Sequence, residues 1–254
     1  MTIHYSDTDG AYNISDDFIT MFTFTGSAGG SIGGCPVAPV AATSLSSNAS
    51  AGHPGVGRLT IGNGATGTES GSALYLIGST INDVGKGVQP DNINYCAGLL
   101  RPGSSISPYQ CAFGVCSKVI TGAPFELFLA SKDMIGFLFD DTVSAFWTVK
   151  TRFNTTETST TTAVTFSAST WYLLEWRRVP PLLSGTSSGG IEFSINKTVV
   201  ATHTTNIPTT FTEVGGGVGP GGYVGFWFRK TGTSIKTLDV DWFQLEGSPL
   251  GARV

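Results

Sequence analysis

The sequence predicts an all-β chain, an antiparallel two-sheet β-sandwich. Three observations carry that expectation. Between Trp171 and Glu246 four short runs recur: Trp171–Val179, Ile191–Thr204, Tyr223–Lys230 and Thr237–Glu246. Each is rich in aromatic and β-branched residues and bounded by Gly, Pro, Ser or Asn, which is how strands separated by turns read. In the second run Ile191, Phe193 and Ile195 alternate with Glu192, Ser194 and Asn196, and period two with apolar residues on one side means a strand with one buried face. The third observation is composition: 34 Gly and only 13% charged residues in 254, against about 25% charged in typical soluble proteins. No window offers the Ala, Leu, Glu and Lys array of a long amphipathic helix, and an aromatic content of 11% suits a folded chain.

Taken in order, residues 14–25 predict a first strand, since Phe18, Thr20, Phe22 and Phe24 share one parity. Gly26–Pro39 lacks periodicity and reads as a Gly/Ala/Pro loop carrying Cys35, a candidate insertion or contact arm. His53–Ile61 is a turn leading into a strand, Gly62–Gly67 another turn, and Ala73–Ile77 a short buried strand. Residues 78–110 are rich in Gly, Asn, Asp and Pro and predict loop, with a strand near Tyr95–Leu100. Cys111–Cys116, Phe125–Ala130 and Ile135–Phe139 follow as strands, the last closing at an Asp140-Asp141 turn. Ala145–Phe153 places Trp147, Val149, Thr151 and Phe153 on one face, Asn154–Thr158 is a polar loop, and a strand starts at Thr161. Asn196-Lys197 reads as a hairpin turn that lacks the usual Gly at its second position. Ile207-Pro208 ends the second arm, and Gly215–Gly222 crosses to the penultimate strand. With no internal repeat and no linker, residues 1–254 are expected to form one domain, with 26–44 a loop or contact arm.

Net charge is −4 and pI about 5.3. Basic residues cluster only at Arg177-Arg178 and Arg229-Lys230, which disfavours nucleic acid as a partner. No run of 18 apolar residues suits a membrane-spanning helix, and the N-terminal sequence does not read as a secretory signal. Cys35, Cys96, Cys111 and Cys116 show neither a C-x-x-C motif nor the paired close spacings of a zinc site, so free buried thiols are expected.

The order Trp-Tyr-x-Leu, strand, Ile-Asn hairpin, Val200-Ala-Thr-His-Thr-Thr-Asn-Ile-Pro208, Gly-rich crossing and Leu238-Asp-Val-Asp-Trp-Phe-Gln-Leu245, with His53-Pro-Gly-Val upstream, resembles concanavalin A-like jelly-roll domains of tailed-bacteriophage virion proteins. The resemblance is tightest over residues 135–246, looser over 50–134, and leaves 26–44 uncovered. It implies two antiparallel sheets packed face to face and a place on a virus particle.

Chemical motifs are weaker. Asp239, Asp241 and Glu246 invite comparison with glucanases of this superfold, whose acids stand as Glu-x-Asp-x-x-Glu. Here Asp239 replaces the first Glu, and the last acid is displaced to Glu246. Glycoside hydrolysis needs two carboxylates about 5–9.5 Å apart, and Glu246 has the opposite parity to Asp239 and Asp241 in an unbroken strand. Structural pairing of these acids is the expectation. Asp140 and Asp141 are adjacent rather than alternating, which does not make a calcium loop. Gly217–Gly222 matches G-x-G-x-x-G only formally, with strands around it and Pro220 inside. Gly85-Lys86 lacks the rest of a phosphate loop. His4, His53 and His203 form no H-E-x-x-H, no G-x-S-x-G occurs, and His203 is expected on the surface or satisfied. Of Trp147, Trp171, Trp176, Trp227 and Trp242, at least four are expected in the core. The sequons at Asn13, Asn48, Asn154 and Asn196 carry no functional weight.

No catalytic, cofactor or metal site is therefore expected. The expected role is a non-enzymatic virion protein, a decoration (cement) protein on the outer surface of the head. It would contact the major capsid protein and its own copies, around a three-fold axis, through the Gly26–Pro39 arm. The alternatives are a tail-associated receptor- or glycan-binding module and, third, a glycoside hydrolase.

Overall fold

Alternating burial governs the described strands. Ile191, Phe193 and Ile195 are buried while Glu192 and Ser194 are half-buried, and Trp147, Val149 and Thr151 repeat the pattern. The computed structural model describes residues 2–5, 12–16, 24–25, 30–32, 35–40, 43–47, 56–61, 70–77, 90–107, 109–117, 132–179, 189–211, 222–230 and 234–247. For those up to 47, for 70–77 and for Tyr223 and Lys230 it describes the backbone alone.

Two antiparallel sheets result. The first runs β16 (Thr198–His203), β15 (Gly190–Ile195), β14 (Tyr172–Val179), β9 (Ile93–Pro102), β18 (Lys236–Gly247), β7 (Gly57–Ile61), β6 (Thr43–Ser47) and β3 (Phe24–Thr25). In the same sheet β2 (Tyr12–Asp16) pairs with the second half of β18, and β1 (Thr2–Tyr5) with β2. The second runs β13 (Thr156–Thr165), β12 (Phe146–Phe153), β11 (Met134–Asp140), β10 (Gln110–Ser117), β17 (Gly222–Lys230), β8 (Ser70–Ile77), β5 (Cys35–Val40) and β4 (Gly30–Ile32). A 3-10 turn at Pro90–Asn92 leads into β9. The all-β sandwich expected from the sequence is the fold observed.

Between the sheets lies an aromatic core. Phe139 stacks on Phe166 at 3.7 Å, Trp147 meets Phe166 edge-on at 5.0 Å, and Phe113 stacks on Phe226 at 4.6 Å. Burying each such ring contributes roughly 1.5–3 kcal/mol. Gly98 makes room for the last pair: a Cβ there would lie 2.6 Å from Phe226 and 2.7 Å from Phe113. On the opposite side of the second sheet, Gly114 pairs directly with Gly136 and with Gly225. Gly114 has φ of 153° and its Cβ would fall 2.2 Å from the Ile135 carbonyl oxygen, so only glycine fits.

Several boundaries differ from expectation. The segment 26–44, expected as loop, contributes β4, β5 and the start of β6. Pro36 and Pro39 hide β5 from a reading by pattern, because proline in a strand is confined to edges and bulges, and β5 has only the three-residue β4 beyond it. Of the first expected strand, residues 14–16 lie in β2 and Phe24–Thr25 form β3, and residues 17–23 lie outside the described residues. The polar loop after Phe153 shrinks to the turn Asn154-Thr155, with φ of 48° and 66°. β13 therefore starts at Thr156 rather than Thr161. Asn196 and Lys197 likewise both take positive φ; the two turns have the left-handed geometry of tight hairpins without the favoured glycine. The strands expected at Tyr95–Leu100, Cys111–Cys116, Ile135–Phe139 and across 171–246 are present. That expected at Phe125–Ala130 lies outside the described residues.

Candidate functional site

Strand β18 holds Asp239, Asp241 and Glu246, the acids that invite comparison with glucanases of this superfold. Parity alone puts Asp239 and Asp241 together and Glu246 opposite. A bulge overturns this: Val240 pairs with Leu100 but Trp242 pairs with Leu99, leaving Asp241 as the extra residue. Beyond the bulge Phe243 and Leu245 face the core. Glu246, opposite Tyr95, therefore shares the outer face of the first sheet with Asp239. Seven residues separate them, about 20 Å at roughly 3.3 Å per residue, far beyond the span of a glycosidic acid pair.

Asp239 is also spent. It is 1% exposed and stands in register between Arg58 on β7 and Arg101 on β9. Arg58 Nε and Nη2 donate to its two oxygens at 2.6 and 2.9 Å, and Arg101 Nη2 donates at 2.6 Å. The hydrogen bond to Asp239 holds the Arg58 guanidinium above its ordinary value. Arg101 in turn lies 4.8 Å from the Trp171 ring centroid, a cation–π contact. Asp140 and Asp141 are turn anchors: Asp140 accepts from the Thr142 N–H and from Gln110, and Asp141 accepts from the Tyr109 N–H at 3.0 Å.

The same outer face carries a groove of about 230 Å³ that the sequence did not reveal, lined among others by Tyr95, Glu175, Arg177, Glu192, Ser194 and Lys197. Tyr95 Oη and Lys197 Nζ both donate to Glu175 Oε1, at 2.5 and 2.8 Å, and Arg177 Nε donates to Glu192 at 2.6 Å. Burial, then Glu175, pushes the Tyr95 phenol well up. The signal available was parity: Glu175 lies between the inward residues Leu174 and Trp176. Farther along this face are Trp242, opposite Leu99, and Trp171. Trp147, Trp176 and Trp227 are fully buried, but Trp171 and Trp242 are only half-buried, so three tryptophans rather than four are core residues. The bulge turns Trp242 outward, and Trp171 precedes the inward-facing Tyr172.

Residues 127–241 match the SO2946-like C-terminal domain family. Among solved structures, the protein of unknown function SO2946 from Shewanella oneidensis MR-1 superposes with a TM-score of 0.60 at 13% identity, covering 100% of this chain and 92% of that one. The Emp47p carbohydrate recognition domain gives 0.51 at 11% identity, covering 92% and 95%. The Bacteroides ovatus mixed linkage glucan PUL GH16 structure, in complex with a G4G4G3G product, gives 0.51 at 9%, covering 91% and 99%. No curated protein matches the sequence. The fold is thus the concanavalin A-like jelly roll shared by lectins and glucanases, and at these identities the likeness is one of fold.

The remaining sequence candidates are distributed as follows. Cys96, Cys111 and Cys116 are buried free thiols, and burial pushes the first two well up; nothing is described of the Cys35 side chain. Arg177 and Arg178 are engaged separately, Arg178 by the carbonyls of Pro90 and Ile93. Gly217–Pro220, Gly85-Lys86 and His53 lie outside the described residues, as does the His4 side chain. His203 is a buried, satisfied residue: Nδ1 lies 3.1 Å from Thr151 Oγ1 and Nε2 3.0 Å from Thr160 Oγ1. It thereby ties β16 of one sheet to β12 and β13 of the other. Burial lowers its pKa, so the unfolded chain takes up the proton first. Stability on this account is complete above the unfolded value of about 6.5 and is lost as pH falls through the lower folded value. Melting temperature is expected to drop between pH 7.5 and pH 5.5, roughly the window in which histidine titrates, and to drop less in His203→Gln. An equal drop in both would remove His203 as the cause.

Proposed function

We propose that the protein is a non-catalytic component of a tailed-phage particle, a decoration protein that braces the head from outside. The observation that carries the non-catalytic reading is the clamp on β18. Asp239, the most buried acid of β18, is held between two arginines, and Glu246 lies about 20 Å from it along the strand. The phage setting is supported by the order of residues from Trp171 to Leu245. Sparse charge and Gly/Ser/Thr-rich segments suit a surface that packs on neighbours in a symmetric lattice.

One observation favours a second reading, a tail-associated glycan-binding module. Trp171 and Trp242 stand half-buried on the face that bears the polar groove of Tyr95, Glu175 and Arg177. Aromatic faces beside hydrogen-bonding groups suit a polyhydroxylated ligand. Deleting the gene separates the two. For a decoration protein, heads are expected to assemble and adsorb to host cells normally but to release DNA at a lower temperature. Loss of adsorption by otherwise stable particles, restored by wild-type protein but not by Trp242→Ala, would overturn decoration in favour of glycan recognition.

A further inference from the structure

Sheet edges that meet solvent are normally guarded by shortness, proline, lysine or a cover, because unpaired backbone groups template pairing with another chain. β13 has few of these guards. It is the terminal strand of the second sheet and runs ten residues, Thr156–Thr165, with β12 as its strand partner among the described residues. It contains no Pro, Lys or Arg. Its one charge does not face the edge: Glu157 is drawn back onto β12 by Lys150, 2.9 Å away, and by Arg152. Burial opposes that charge, but the two cations hold Glu157 below the usual carboxylate range. The inward side chains are fixed, since Thr160 meets His203 and Thr158 meets Thr205 at 2.7 Å. The outward ones, Ser159, Thr161 and Ala163, are exposed. Beside them Val143 and Phe146 expose 78% and 39% of their surface.

We infer that β13 is a self-association edge, on which a second copy of this chain pairs antiparallel about a two-fold axis so that the two second sheets become continuous. The chain is complementary to itself there. A continuous sheet requires residues of like parity to oppose one another. A crossing centred on Thr161 sets Ser159 against Ala163, Thr160 against Thr162, Thr158 against Val164 and Glu157 against Thr165. No like charges meet, and Thr–Thr pairs are favourable cross-strand neighbours. This contact lies at the opposite edge of the sheet from β4 and β5, and so away from the Gly26–Pro39 segment expected to make self-contacts. It is two-fold, not three-fold.

Sedimentation velocity and light scattering test it. The wild-type chain is expected to show dimers, or assemblies built of dimers. Thr161→Lys/Ala163→Lys, which places lysines on exposed positions of both crossing strands, is expected to halve the mass with unchanged circular dichroism and melting temperature. A second variant guards against misfolding: Thr161→Cys, at the axis, is expected to form a disulfide-linked dimer on mild oxidation while the wild type does not. A monomeric wild type, a double-lysine variant of unchanged mass, or an unlinked Thr161→Cys would each overturn the inference, and none of these bears on where the protein sits on a particle.

Discussion

Asp239→Asn is expected to lower the unfolding free energy by about 3 kcal/mol, the low end of the cost of removing one partner from a buried ion pair. Two guanidiniums would then stand on either side of a neutral amide, without the carboxylate that both now engage. The low end applies because Arg58 and Arg101 keep 33% and 22% of their side-chain exposure, against 2% for Asp239, so water screens part of their repulsion. Urea unfolding at pH 7 measures it. Replacing all three with leucine is expected to restore most of the loss, since well-packed apolar residues often substitute for a buried ionic cluster. A loss below about 1 kcal/mol, the level of an ordinary surface pair, would mean that the clamp is not structural and would reopen a chemical role for Asp239. Hydrolysis of mixed-linkage glucan by the wild type that disappears on Asp241→Asn would overturn the proposed non-catalytic reading.

Gly98→Ala is expected to cost about 1–3 kcal/mol by overpacking. The added methyl would sit 2.6 Å from Phe226 and 2.7 Å from Phe113, whose rings already stack on each other. The cost belongs to a particular contact, so it is testable by coupling. Phe226→Leu alone opens space and destabilises, and combined with Gly98→Ala it is expected to recover about 0.5–3 kcal/mol relative to the sum. Strict additivity would show that the backbone moves instead and that Gly98 is not the seat of the ring pair.

The strands of the C-terminal half are legible because one of their faces is buried and the other is not: Ile191-Glu-Phe-Ser-Ile states its own parity. β4 and β5 are not legible, because edge strands tolerate Pro and Gly and need no apolar alternation. β13 is readable only in part, since Thr is both β-branched and polar and gives no period. The fate of the acids shows where a one-dimensional reading stops. The separation of Asp239 from Glu246 follows from spacing, yet the faces of Glu246 and Trp242 depend on a single extra residue at Asp241. That bulge is set by pairing with β9, more than a hundred positions away in the chain. The Tyr95–Glu175–Lys197 cluster is non-local in the same way: β9, β14 and the turn between β15 and β16 contribute one residue each, and no spacing along the sequence announces them. The hairpin geometry of Asn196-Lys197 was accessible to inspection, whereas Asn154-Thr155 was not, because a β-branched residue at positive φ is rare.

The role proposed for this concanavalin A-like sandwich is that of a surface component of a phage head rather than of an enzyme or a receptor-binding tip. It is tested most directly by quantifying the protein in purified particles relative to the major capsid protein and locating it in a density map. Copies in a fixed lattice ratio to the capsid protein, on the outer surface of the head, are expected. A handful of copies confined to the tail, or none in the particle at all, would contradict it.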